Sequence, residues 1–205
     1  MTNVRRVFYD TEFIDDGRTI RLISIGMVDE DGKTYYAVVD DVELMQDAML
    51  HPWLPDNVMV HLPGHLDTRA GRKWVWDRSH KDYGAVKSRA QIAAEVAMWL
   101  LAPGQPVELW AWFGAYDHVA LAQLFGPMSG LPTGIPMFTH ELRQRWEECG
   151  HPDLPAQHSA HNALTDAYWD RAVWMRCEAA RQDTFARRAG MGQLRREAER
   201  VRRGV

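Results

Sequence analysis

The stretch Val7-Phe8-Tyr9-Asp10-Thr11-Glu12-Phe13 constrains this chain most, because an apolar run rich in strand formers delivers two carboxylates at its end. Side chains on a strand alternate with period two, so Asp10 and Glu12 project from one face, close enough to share a ligand. Carboxylates held that close repel each other, and a divalent cation such as Mg²⁺ or Mn²⁺ is the usual remedy, since hard cations take oxygen ligands. Alone, Asp-x-Glu is also the ordinary solvated end of a strand. The rest of the chain has to supply partners.

The 205 residues, 46% hydrophobic and 25% charged, suit one domain with a sizeable core. Residues 1–186 read as that domain, with 41–87 a loop-rich excursion and 187–205 an arginine-rich tail. The N-terminus enters the strand pattern without a signal-peptide stretch, and no apolar run reaches membrane-spanning length, so a soluble, cytoplasmic protein is expected. Cys149 and Cys177 lie in helical patterns and suggest neither a disulfide framework nor a zinc cluster. Of the net charge of -4, the tail carries seven Arg and two Glu, or +5, which leaves the body at -9. A body that gathers carboxylates around metals would have this balance, and the metals would turn its acidic face toward phosphates.

Turns at Asp15-Asp16-Gly17 and Asp31-Gly32 separate three strand patterns ending near Val39, an antiparallel meander. Prolines and glycines break the pattern from Asp40 to Lys87 apart from a short helix over Val42 to Met49. The histidines there, His51, His61, His65 and His80, lack metal-site spacing and read as solvated or locally bonded. Trp74-Val75-Trp76 suits a loop anchor or a subunit contact. Ser88 and Gln91 form a capping box for a helix to about Leu101, with Ile92, Val96, Trp99 and Leu100 inward. Val107 to Phe113 is apolar on both faces and reads as a central strand. Asp117 follows in the first turn of a helix, where open α/β sheets place ligand sites and where a helix dipole also favours a plain carboxylate. A short helix is expected from Thr139 to Cys149, then a long one that contains Asp166 and reaches about Gln182. On an ideal helix five residues turn Asp166 about 140° from His161, so both serve one centre only if His161 lies on the turn before it.

Asp10-x-Glu12, Tyr116-Asp117 opening a helix, and His161-x-Ala163-x-x-Asp166 resemble, in order and spacing, the three motifs of the DEDDh (DnaQ-like) 3′-5′ exonucleases. The likeness extends from Phe8 to about Ala179. Tyr9 to Phe13, Trp110 to Leu121 and Phe138 to Leu142 look like the compact actinobacterial exoribonucleases related to ribonuclease T. The sequence departs from many relatives at Phe113, where they carry Asn, and that bears on substrate positioning.

The resemblance implies a ribonuclease H-like α/β fold, a mixed five-stranded sheet with helices on both faces. It further implies two Mg²⁺ or Mn²⁺ ions held by Asp10, Glu12, Asp117 and Asp166, with Asp10 bridging, Glu12 and Asp166 beside the attacking water, and Asp117 acting through water on the second ion. His161 would be the general base, a role suited to histidine's ordinary titration near neutral pH. Thr11, Glu12, Phe13 and His161 would touch substrate. The implied activity removes nucleoside 5′-monophosphates from RNA 3′ ends, with single-stranded tails as substrate and a homodimer as the working form. Single-stranded DNA as substrate, or an inert nucleic-acid-binding module of the same fold, remains open at this point, because the 2′-hydroxyl is read by local geometry. A haloacid dehalogenase-type phosphatase fits less well, since it needs Asp-x-Asp on the first strand.

Overall fold

The computed structural model describes residues 4–69, 71–157 and 160–202, with side chains through Arg187. The meander forms as expected: β1 (Arg5–Asp15), β2 (Ile20–Asp29) and β3 (Thr34–Val39) pair antiparallel in sequence. Next come α1 (Val42–Leu50), α2 (Leu54–Asn57), a hairpin of β4 (Gly64–Asp67) and β5 (Lys73–Trp76), and β6 (Val86–Lys87). The remainder is α3 (Arg89–Leu101), β7 (Val107–Ala111), α4 (Ala115–Gln123), β8 (His140–Glu141), α5 (Leu142–Glu148) and α6 (Ala163–Arg202). The sheet order is β6-β3-β2-β1-β7-β8, with β7 parallel to β1 and β8 parallel to β7. Five of these strands, the meander plus β7 and β8, make the expected mixed five-stranded sheet, and β6 adds a sixth, two-residue strand at one edge.

Alternation along β1 assigns the faces. Val7 and Tyr9 enter a core with α1, α3 and α4, whereas Phe8 packs on the other side with Val28, Leu142 and Ala167 from β2, α5 and α6. Asp10 and Glu12 follow Phe8 by two and four residues and therefore face α6. A buried ion pair fixes the root of β1: Arg5 donates to Asp29 at 2.9 and 3.0 Å and to the carbonyl of Trp99 at 2.8 Å, its guanidinium over the Trp99 ring. Each polar group there has a partner, as a buried charge requires.

Several boundaries differ from the expected ones. β7 stops at Ala111, because Phe113 takes a left-handed φ of +57°, and its ring is exposed instead of sharing the face of Leu109 and Ala111. The helix expected from Thr139 begins at Leu142, the preceding His140–Glu141 being drawn into the sheet beside Trp110 and Ala111. Ser88 caps α3, but Gln91 turns forward to Glu95 and does not close the box. α6 runs to Arg202, beyond the expected end near Gln182. Trp74 is buried in the core, where a subunit contact cannot use it, and the Trp76 indole donates to Asp40. The excursion's histidines are partly locally bonded as expected, His51 Nδ1 accepting from the Trp53 and Leu54 amides and His80 Nδ1 from the Asp82 amide. Among the described residues no helix is long and apolar enough to cross a membrane.

α6 reaches the sheet closely at one point. A Cβ on Gly26, the residue paired with Asp10, would stand 2.2 Å from Leu164 N and 2.3 Å from Leu164 Cα. Backbone cannot yield as a flexible side chain can, so Gly26→Ala has to displace α6. The expected outcome is a loss of about 1–3 kcal/mol, the usual scale of overpacking, read by urea denaturation. Unchanged stability would place α6 elsewhere.

Candidate active site

The sheet brings the motif residues to one cleft of about 340 Å³. The last register pair of β1 with β7 is Phe8 with Trp110, so Asp10 and Glu12 lie past the end of that ladder, and a bulge after Glu12 bends the strand. Asp117, Asp166 and His161 line the same cleft, with Phe13, Trp53, Phe113 and Tyr116 around it. All four expected carboxylates and the expected histidine therefore meet. Tail arginines beyond Arg187 and His158 lie outside the residues whose side chains are described.

Each carboxylate arrives by a separate local device. Asp117 sits in the first turn of α4, and its Oδ1 accepts from the Thr11 amide at 2.8 Å and the Thr11 hydroxyl at 2.6 Å. Thr11, expected at the substrate, thus commits both donors to Asp117. Asn162 caps α6 by accepting from the Thr165 amide and hydroxyl. His161, just before that cap, has a left-handed φ of +70°, the off-helix placement that a shared centre demands. Its amide donates to Asp166 Oδ2 at 2.7 Å, and Gln157 Nε2 donates to Oδ1 at 2.7 Å. Glu12, His161 and Asp166 offer ligand atoms within 4.8 Å of one another. The Trp53 ring stands edge-on to the His161 imidazole, centroids 4.6 Å apart, and Phe13 stacks near-parallel on Tyr116.

Sequence reasoning missed Asp170, Gln157 and Trp53. Asp170 is 3% exposed, lines the cleft and accepts from the Trp112 amide. Its spacing, one helical turn beyond Asp166, was a usable signal. Trp53 comes from the excursion, where no periodicity marked it.

Five carboxylates share the cleft, and among the described residues none of them forms an ion pair with Lys or Arg. Burial therefore disfavours the charged forms of Asp10, Glu12, Asp117 and Asp170. Glu12 is pushed up to about 8 by desolvation and then by Asp166 and Asp117. Desolvation, with Asp117 and Glu12 adding repulsion, raises Asp10 well above the carboxylate range. Asp170 is also raised well above it, again first by desolvation. Asp117 reaches only about 6, because the two Thr11 bonds oppose its burial. Crowded oxygen donors without cationic partners are the chemistry a divalent ion fits, so Asp10, Glu12, Asp117 and Asp166 suit the metals that the motifs imply.

A family model, the Rv2179c-like 3′-5′ exoribonuclease domain, matches residues 5–177. The chain belongs to that family. Two relatives from Mycobacterium tuberculosis, the 3′-5′ exoribonuclease Rv2179c of strain H37Rv and MT2234.1 of strain CDC 1551, are each 45% identical over 164 residues, covering 79% of this chain and 86% of theirs. Two solved structures are more distant. S. pombe Pop2p in an Mg²⁺- and Mn²⁺-bound form is 14% identical with a TM-score of 0.44, over 82% of this chain and 81% of that one. Cell-death related nuclease 4 is 13% identical with a TM-score of 0.46, over 84% and 62%. The match of the Rv2179c-like domain takes in all three motifs and stops before the arginine-rich end.

The shifts predict a pH dependence for the metal-free protein. Between about 4.5 and 8 folded Glu12 keeps a proton that the unfolded chain has released. The folded state then binds more protons, and stability falls as pH rises through that window. Asp10, Asp117 and Asp170 act in the same direction, and His118, lowered by burial, opposes them near its ordinary 6.5. In EDTA the melting temperature should fall from pH 5 to pH 8. Mg²⁺ or Mn²⁺ should restore it at pH 8, and so should Asp10→Asn. A flat profile would contradict the crowding of unneutralised carboxylates.

Proposed function

We propose that this chain is a metal-dependent 3′-5′ exoribonuclease of the DEDDh type, related to ribonuclease T, that releases nucleoside 5′-monophosphates from RNA 3′ ends with single-stranded tails. The observation that carries the reading is the meeting of Asp10, Glu12, Asp117, Asp166 and His161 in one cleft of a chain in an exoribonuclease family. Asp10, Glu12, Asp117 and Asp166 would hold two Mg²⁺ or Mn²⁺ ions. When bound, such a pair supplies a nucleophilic hydroxide at neutral pH and stabilises charge on the attacking and leaving oxygens.

The chain's own groups do the rest. His161 accepts the proton of the attacking water at a ring nitrogen, while its backbone amide stays on Asp166 and Trp53 braces its ring. Phe13 and Tyr116, stacked at the cleft, present aromatic surface to the terminal nucleoside. The water oxygen bonds to phosphorus as the bond to the 3′-oxygen breaks, and that oxygen takes a proton from solvent, so the shortened RNA ends in a 3′-hydroxyl. The arginine-rich end would add phosphate contacts without sequence choice, weakening as salt rises. The homodimer is proposed from the family resemblance, with its contact outside the buried Trp74; a monomer by light scattering at micromolar concentration would remove it.

With a 5′-labelled RNA oligonucleotide and Mg²⁺ or Mn²⁺, the protein should give a ladder shortened from the 3′ end, and EDTA should stop it. DNA of the same sequence should be cut more slowly. Asp10→Asn should abolish cleavage with the fold retained. His161→Ala should lower kcat by about 10²- to 10⁴-fold, the scale of a lost general base. Metal-dependent cleavage at wild-type rate by Asp10→Asn would refute the two-metal assignment. A wild-type pH-rate profile in His161→Ala would refute the base.

A further inference from the structure

Between the end of β7 at Ala111 and the start of α4 at Ala115 the chain turns on three residues, and a carboxylate from another element takes each of their consecutive amides. Trp112 N–H donates to Asp170 Oδ2 at 3.1 Å, Phe113 N–H to Glu141 Oε1 at 2.9 Å, and Gly114 N–H to Glu141 Oε2 at 3.0 Å. Glu141 ends β8 and caps α5, and Asp170 lies on α6, so elements on both sides grip the same turn. α4 has no side-chain cap of its own, Gly114 occupying that position.

The turn has little freedom to settle elsewhere. Phe113 is held at a left-handed φ, and a Cβ on Gly114 would come within 2.8 Å of Ala111 Cβ and 2.9 Å of Thr139 Cγ2. Asp117 lies three residues beyond Gly114, in the first turn of α4. Its place in the cleft, and that of Tyr116, is therefore set by where this turn hangs.

We propose that Glu141 and Asp170 are positioning residues that suspend the β7–α4 turn, and with it Asp117, over the cleft, and that Asp170 acts through the Trp112 amide and not as a metal ligand. The inference rests on the proposed role of Asp117 in holding an ion. Asp170 lies outside the three motifs, and its Oδ2 is engaged by the Trp112 amide.

The two carboxylates are used differently, and this separates positioning from charge. Asp170 engages the turn with one oxygen. Glu141 uses both, Oε2 for Gly114 and Oε1 for Phe113 and for the Arg143 amide at 2.9 Å. An amide side chain keeps one acceptor oxygen and replaces the other with an NH₂ donor. Asp170→Asn can therefore keep the bond to Trp112, whereas Glu141→Gln must set a donor against a backbone N–H.

The test compares Asp170→Ala, Asp170→Asn and Glu141→Gln by Mn²⁺ affinity in calorimetry, by kcat on an RNA oligonucleotide, and by the ¹H–¹⁵N shifts of the Trp112 and Gly114 amides. Asp170→Ala and Glu141→Gln should weaken Mn²⁺ binding and lower kcat by about 10- to 100-fold, the scale for residues that orient a ligand from behind. Asp170→Asn should recover both to within about threefold, with the Trp112 amide resonance near its wild-type position. Asp170→Asn as impaired as Asp170→Ala would make Asp170 a ligand or a needed charge and overturn the proposal. Full Mn²⁺ affinity in Asp170→Ala would overturn it as well. The Asp170 pair decides even if Glu141→Gln does not fold. A wild-type protein that binds Mn²⁺ but does not cut RNA would sink the proposed function while these binding and amide readouts still judge the inference.

Discussion

At Gly26 the backbone of α6 occupies the space a side chain would need, with Ala163 C only 2.3 Å from the position of a Cβ. This approach does more than pack a helix on a sheet. Gly26 pairs with Asp10 across the β1–β2 ladder, so the helix meets the sheet beside the first carboxylate. The turn before α6 then brings His161 over Glu12, and the first turn of the helix brings Asp166. A helix seated farther out would leave these groups too distant to share a ligand. Farther along, Phe8 and Trp174 pack at 5.6 Å and keep α6 along the face from which Asp10 and Glu12 project.

The same closeness crowds negative charge, and the protein treats its carboxylates unequally. Asp117 has Thr11, Asp166 has Gln157 and the His161 amide, and Asp170 has the Trp112 amide. No donor among the described residues serves Asp10 or Glu12 in this way, and burial pushes both above the ordinary carboxylate range. Hydrogen bonding thus orients the outer carboxylates and leaves the two on β1 for an external positive charge to satisfy. A buried like-charged cluster costs stability in the absence of that charge, which is a reason to read it as functional.

Much of this was legible in the sequence because each motif pairs a chemical group with a strong local signal. Asp10 and Glu12 end an apolar strand, Asp117 opens a helix after a central strand, and the geometry of an ideal helix requires His161 to lie before the helix that bears Asp166. What was not legible depends on partners distant in sequence. Phe113 looks like one more strand residue until Glu141, 28 residues on, takes its amide and ends the strand. The same carboxylate belongs to a two-residue strand that reads as helix from propensity alone. Trp74 reads equally as a loop anchor or a subunit contact, because nothing local indicates that the β4–β5 hairpin folds it onto the core.

The described non-glycine residues with left-handed φ include Phe113 and His161, and both line the cleft. Such a conformation costs on the order of 1–2 kcal/mol for an L-residue. In each case the segment leads into a helix that carries a carboxylate in its first turn, Asp117 after Phe113 and Asp166 after His161. In each case, too, a carboxylate binds the strained residue's own amide, Glu141 for Phe113 and Asp166 for His161. The strain redirects the chain sharply enough for a helix to start at the edge of the cleft, with its first turn facing inward. The excursion adds to this, since Trp53, whose amide His51 holds, sets its ring against the imidazole of His161. Two of the four described non-glycine conformations that local preference opposes are thus the ones that bring the helix-borne carboxylates to those on β1.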